Sequence, residues 1–179
     1  MIRGFNYRPT GEFGSVMKPL FSAEIGYQQP FEGDRVRGGF LFTFLQMKPR
    51  MDVFPVYGIV GTTVLPGEQS FQKYNLGLLL CDLDFAFVNK EKYTIYTGLG
   101  LIMGGANVEY EYNIQTAVYE SYSGGGILAG FRFRLGAEYI INDYIALNLN
   151  ANRNVFLVTE PRALAWANDY GIGMRYSFD

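Results

Sequence analysis

The stretch Ile127–Asn152, ILAGFRFRLGAEYIINDYIALNLNAN, alternates with a two-residue period on both sides of a tight turn. Ile127, Ala129, Phe131, Phe133, Leu135, Ala137 and Tyr139 share one face; Leu128, Gly130, Arg132, Arg134, Gly136 and Glu138 share the other. After Asn142-Asp143 the alternation resumes, with Ile145, Leu147, Leu149 and Ala151 against Ala146, Asn148 and Asn150. This predicts a β-hairpin with one greasy face and one face holding two arginines and a glutamate. In a soluble sandwich the greasy face would be the core. The repetition of the pattern along the chain points to the reverse, with hydrocarbon outside and a charged interior.

The same alternation predicts strands at about 19–28, 35–47, 54–63, 74–88, 93–103 and 168–178, which with the hairpin make eight. Each is near the 9–11 residues that cross a bilayer at a tilt. Residues 1–15, MIRGFNYRPTGEFGS, show no period and read as a pre-barrel segment, leaving 16–179 as the barrel. The expected fold is all-β, an eight-stranded antiparallel up-and-down transmembrane β-barrel. Short turns at Asn89–Lys92 and Ile141–Asp143 would be periplasmic, and 64–73, 104–126 and 153–167 extracellular. That register makes Lys48–Val53 periplasmic and places both termini on the same side.

Composition agrees with this reading. Aromatics reach 17%, and charged residues only 18% against the roughly 25% of soluble domains. No stretch approaches the ~20 apolar residues of a membrane helix. Net charge is −2 without a basic patch, which argues against a nucleic-acid partner. One cysteine, Cys81, excludes an intramolecular disulfide and reads as a small hydrophobe among outward Leu79, Leu83 and Phe85. Histidine is absent altogether, which removes His-dependent triads and His-ligated zinc. Met1-Ile2-Arg3-Gly4 has no apolar signal core, so an exported form would be mature or trimmed.

The charges within the predicted strands alternate out of phase with the Phe/Leu/Ile/Tyr set. They are Glu24, Arg35, Arg37, Asp82, Asp84, Arg132, Arg134, Glu138, Asp169 and Arg175, five acidic and five basic. An eight-stranded barrel has an interior that side chains just fill. A balanced set can neutralise itself there, whereas unpaired buried charge is strongly unfavourable. Asp82 and Asp84 share a face, and a filled lumen gives them arginine partners rather than a substrate. Tyr110, Tyr112, Tyr119 and Tyr122 in the segment 104–126 suit protein recognition, or else pack on one another where strands continue past the membrane. Trp166 reads as an interfacial anchor. Gly124–Ile127, GGGI, lacks the following lysine and helix of a phosphate loop.

YTIYTGLGLIMGGA, GFRFRLGAEYIINDYIALNLN and the C-terminal DYGIGMRYSF resemble the small outer-membrane β-barrel superfamily of OmpX, the OmpA transmembrane domain and opacity-type porins. The likeness is greatest to barrels common in Bacteroidota. Asp179 follows the Phe on which that superfamily usually ends. The resemblance implies a bacterial outer-membrane location, outer-membrane lipid as partner, other envelope proteins as possible companions, and no cofactor. It does not single out a function, because the superfamily includes adhesins, structural anchors, enzymes and subunits of larger machines. A non-enzymatic barrel with a structural, adhesive or accessory role is the expectation. The alternatives are a subunit of a larger envelope assembly, a narrow pore, and a soluble lipocalin-like lipid-binding barrel.

Overall fold

A computed structural model describes residues 1–30, 35–60, 62–114, 118–158 and 163–177. Nine strands and one short helix follow one another: β1 (Ile2–Thr10), α1 (Gly11–Val16), β2 (Leu20–Pro30), β3 (Val36–Met47), β4 (Phe54–Val60), β5 (Thr63–Asn89), β6 (Tyr93–Ile114), β7 (Val118–Ile140), β8 (Ile145–Val158) and β9 (Ala163–Tyr176). The hydrogen-bonded order is β3-β2-β1-β9-β8-β7-β6-β5, and an antiparallel β3–β5 ladder closes the ring. Eight strands form the barrel. Each of the eight is laddered to a neighbour on both sides, as a strand in hydrocarbon requires.

The eight are not the eight read from the sequence. Residues 2–10 are a barrel strand, not a pre-barrel segment: Ile2–Thr10 pairs with Met174–Trp166 on one side, and Ile2–Tyr7 pairs with Ile25–Leu20 on the other. Its phase is inverted relative to the rest. Phe5 and Tyr7 point inward with Arg3, whereas Gly4 and Arg8 face out, so no greasy outer face marks it. Conversely, β4 is not a wall strand. It pairs only with Thr63–Gln69, above the point where β3 leaves β5. VYGIVGTT is apolar on both faces, so its pattern carried no sign of this.

These two corrections shift the parity of the chain. The strand ends Pro30 and Val36, Asn89 and Tyr93, and Ile140 and Ile145 share one end with Met1 and Tyr176; α1, β4 and the paired Ile114 and Val118 lie at the other. The segment 48–53 therefore sits at the long-loop end, opposite to the sequence expectation. Gly11, at φ 64°, lets β1 turn into α1. Backbone bonds Lys18 N to Lys48 O (2.8 Å) and Arg50 N to Val16 O (2.7 Å) then tie α1 to the β3–β4 link.

At the short-turn end, Asn142 Oδ1 accepts from the backbone N–H groups of Tyr144 (3.0 Å) and Ile145 (2.8 Å), which fixes the β7–β8 turn. Above the belt, β5, β6 and β7 run on as a continuous sheet, with Ile114 paired to Val118 at its tip and β4 at its edge.

Candidate functional site

The outer wall is apolar. Phe21, Ile25, Phe40, Phe42, Phe44, Leu99, Leu101, Phe131, Phe133, Leu135, Leu149 and Ile172 are all more than half exposed. Tyr27, Tyr93, Tyr139, Tyr144 and Tyr176 ring the short-turn end, with Tyr144 stacked on Tyr176 at 6.2 Å. From Ile127 to Tyr139 the belt is about 30 Å tall for a strand tilted ~40°, enough to cover a bilayer core. Such a surface in water would be a severe aggregation liability. Phe133→Arg, at mid-belt, should cost about 2–4 kcal/mol in lipid-vesicle unfolding, the midplane penalty for arginine; a soluble barrel would tolerate it almost freely.

The interior is divided along the axis. Inward residues near the short-turn end are polar, and those near the long-loop end are apolar. On β5 the inward series runs Asp84, Asp82, Leu80, Leu78, Leu76; on β8 it runs Asn148, Asn150, Asn152, Asn154, Phe156. Leu41, Leu45, Ile102, Leu128, Phe5 and Tyr7 complete an apolar plug, into which Met17, 1% exposed, descends from the end of α1. At the other end a vestibule of about 620 Å³ opens among Gln28, Arg37, Asn89, Lys90, Asn142 and Arg175.

The polar half is an ion-pair network in which each carboxylate meets a guanidinium. Arg132, fully buried, reaches Glu24 (3.1 Å), Asp169 (3.5 Å) and Asp82 (3.8 Å). Arg134 Nη1 lies 2.6 Å from Asp82 and 3.1 Å from Asp84. Gln28 also donates to Asp84 (2.6 Å). Arg37 and Arg175 share Glu138 at 2.9 and 2.8 Å. Arg3 pairs with Glu24 and donates to Asn150. Asp169 accepts from Asn152 and, at 2.8 Å, from Asn154. Tyr96, against Gly136, accepts from Asn148 (2.7 Å) and lies under Arg134 (5.7 Å).

Of the residues expected inside, Glu24, Arg37, Asp82, Asp84, Arg132, Arg134, Glu138, Asp169 and Arg175 meet in this network. Arg35 does not: it is exposed at the short-turn rim, just before β3 begins, and joins no ion pair among the described residues. Arg3 takes its place, so among the described residues the lumen still holds five guanidiniums and five carboxylates. Arg3 was concealed by its segment's inverted phase; the asparagines of β8 were visible as a polar face but carry no charge to flag them.

Two glycines make the pairing possible. A Cβ on Gly98 or Gly100 would run into the carboxylates of Asp84 and Asp82, and on Gly98 also into Leu83 O at 2.9 Å. Gly98→Val should therefore lower stability by about 1–3 kcal/mol, the usual cost of overpacking, read as an earlier urea midpoint.

Among the candidate recognition tyrosines, Tyr110 and Tyr112 lie on β6 in a chain of rings with Phe71 and Phe54, with centroids 5.7–6.3 Å apart. The strands do continue past the belt, and these aromatics pack on one another. The side chains of Tyr119 and Tyr122 fall outside the described ones. So does Phe178 of the C-terminal motif. No group of three or more carboxylates and thiols fit to hold a metal occurs among the described residues.

Comparison of the folded chain with solved structures places it beside Neisserial surface protein A, at a TM-score of 0.64 and 15% identity, covering 99% of this chain and 94% of that one. The fold is the eight-stranded outer-membrane type of barrel. Ail, the attachment invasion locus protein of Yersinia pestis, is also similar in a complex with the heparin analogue sucrose octasulfate, at TM-score 0.49 and 15% identity, covering 99% and 95% of the two chains. The N-terminal β-barrel domain of Pseudomonas aeruginosa OprF gives 0.44 and 15%, covering 98% and 95%. Only the first is near enough in shape to bear on the fold. No family model matches the sequence, and no curated protein does. For this outer-membrane-type barrel, everything beyond architecture rests on its own residues.

Proposed function

We propose that the chain is an integral, non-enzymatic outer-membrane protein with a closed lumen, which presents the sheet of β4–β7 outside the cell as an adhesive or structural surface. The observation that carries this is the division of the interior. An apolar plug fills the long-loop end above a charge network in which, among the described residues, every lumen carboxylate is paired with a guanidinium, which leaves no open path and no idle carboxylate among them for chemistry. The absence of histidine supports the non-enzymatic reading. The exposed belt argues against a lipocalin-like soluble barrel. By the usual arrangement of short periplasmic turns, the long-loop end faces outward and both termini are periplasmic.

A second reading, a subunit of a larger envelope assembly, is favoured by β4. It ends the sheet order, and Tyr57, Ile59 and Val64 beside it are 61–76% exposed. An edge of this kind accepts a partner strand.

Fractionation with outer membranes and altered migration on an unboiled gel test the location. An epitope inserted between Ile114 and Val118 should be labelled on intact cells, and one at the C-terminus should not. Planar-bilayer recordings should show no steady conductance; a stable open level would refute the closed lumen. Co-purification of a stoichiometric companion after gentle extraction would favour the second reading.

A further inference from the structure

Among the described residues, β4 is laddered to Thr63–Gln69 and to no other strand, so one of its edges is open. That edge stands far from the membrane. The uppermost rung shared by β3 and β5 is Met47 opposite Tyr74. Val64, beside β4, lies about 25 Å above it for strands tilted ~40°. Natural edges are blunted by charge, lysine above all, yet FPVYGIV carries none. Phe54 packs on Phe71 and Gly58 lies against Ile114, which leaves Pro55, Tyr57 and Ile59 on the exposed face.

Two prolines show which backbone groups face the open side. In an antiparallel ladder, pairs that exchange hydrogen bonds alternate with pairs that do not. Pro55 stands opposite Glu68 and Tyr57 opposite Pro66. A proline has no N–H to exchange, so these two are non-bonded pairs. Ile59 with Val64, two residues on, is a third. The N–H and C=O groups of Tyr57 and Ile59, with the C=O of Pro55, therefore turn to the open edge.

This set complements itself. Under a two-fold axis through Tyr57, a second β4 sets Tyr57 opposite its own copy and Ile59 opposite Pro55. All four N–H groups of the two edges then find a carbonyl, and the missing Pro55 donor leaves only the Ile59 carbonyl unmatched. The exposed faces meet as apolar cross-strand pairs. Glu68, level with Pro55, falls in line with Val64 of the other copy and not with its own counterpart. The pairing is antiparallel, so the two molecules point in opposite directions. Copies in one membrane cannot do so; copies on two facing membranes do.

We propose that β4 is a homophilic contact, which joins the β4 edge of a second copy of this chain standing on an opposed membrane. The inference rests on the adhesive-surface reading above and names what that surface holds. One pair of seven-residue strands is a small, weak interface. Many copies between two membranes supply the avidity.

The test reconstitutes the full barrel in two populations of phosphatidylcholine vesicles, one with a donor dye and one with an acceptor. Clustering is read as energy transfer between them. Wild-type vesicles should cluster with one another and not with protein-free ones. Tyr57→Lys alone and Tyr57→Glu alone should each lose about tenfold per contact, because like charges are set opposite. Lys vesicles mixed with Glu vesicles should cluster again. Ile59→Pro, which removes an edge N–H and spares the β4–β5 ladder, should weaken clustering too. Wild-type vesicles that stay apart, or that cluster equally with protein-free ones, would overturn the proposal. So would a Lys/Glu mixture no better than either variant alone, which would leave the edge to a different protein. An epitope between Ile114 and Val118 that stays unlabelled on intact cells would instead sink the adhesive reading itself.

Discussion

A chain lacking residues 1–10 should not form a barrel at all. Removing β1 strips the ladder partners from both β2 and β9. Those two strands run in the same direction, so they cannot close the gap with the antiparallel ladder used everywhere else in the wall. Two open edges would remain in hydrocarbon, where each unsatisfied backbone group costs several kcal/mol; the sum exceeds the roughly 5–15 kcal/mol of a typical domain. The shortened chain should show no altered migration on an unboiled gel after refolding into lipid vesicles. A folded, vesicle-inserted product would mean that residues 2–10 lie outside the wall, as their sequence alone suggests.

Arg132→Met should be the most damaging single substitution in the lumen. Arg132 is fully buried, and Glu24, Asp169 and Asp82 all lie within 4 Å of it. Arg3 supports Glu24 and Asp169, and Arg134 supports Asp82, but neither can move into the vacated centre without leaving its own partner. Removing one member of a buried ion cluster strands the others, at about 3–5 kcal/mol. The loss is measurable as a shift in the urea unfolding midpoint followed by Trp166, the one tryptophan of the chain. Combining it with Glu24→Gln should recover part of that loss, because one stranded carboxylate is removed with the guanidinium. Arg35→Gln, expected inside from the alternation but exposed in the structure, should change stability by less than about 0.5 kcal/mol. Equal effects of Arg132→Met and Arg35→Gln would dismiss the network as a stabilising unit.

What was legible follows from the physics of each strand. In β7 and β8 an apolar outer face and a polar inner face are both required, so Phe131, Phe133, Arg132 and Arg134 announce their sides two residues at a time. In β1 the two requirements cross. Its inner face joins the apolar plug through Phe5 and Tyr7, and its outer face carries Asn6 and Arg8, so the strand resembles a linker. In β4 there is no lumen or bilayer to impose a face, so a strand-like run carried no information about its place. Both errors hid the same thing: the axial change from charge network to plug. That change depends on which inward residues lie at one height, a relation fixed by register between strands and not by the order of residues within one. The outward row Arg8, Asn168 and Arg153 is of the same kind, since its members become neighbours only through two ladders.

The central claim is that the Phe/Leu/Ile face meets hydrocarbon while the charged face is enclosed. Phe133→Trp in a Trp166→Phe background places one fluorophore at mid-belt, and the protein can be refolded into phosphatidylcholine vesicles brominated at different acyl depths. The account predicts blue-shifted emission quenched most strongly by bromines nearest the bilayer centre. Emission untouched by bromine at any depth, from a folded chain that stays in the aqueous phase, would contradict it.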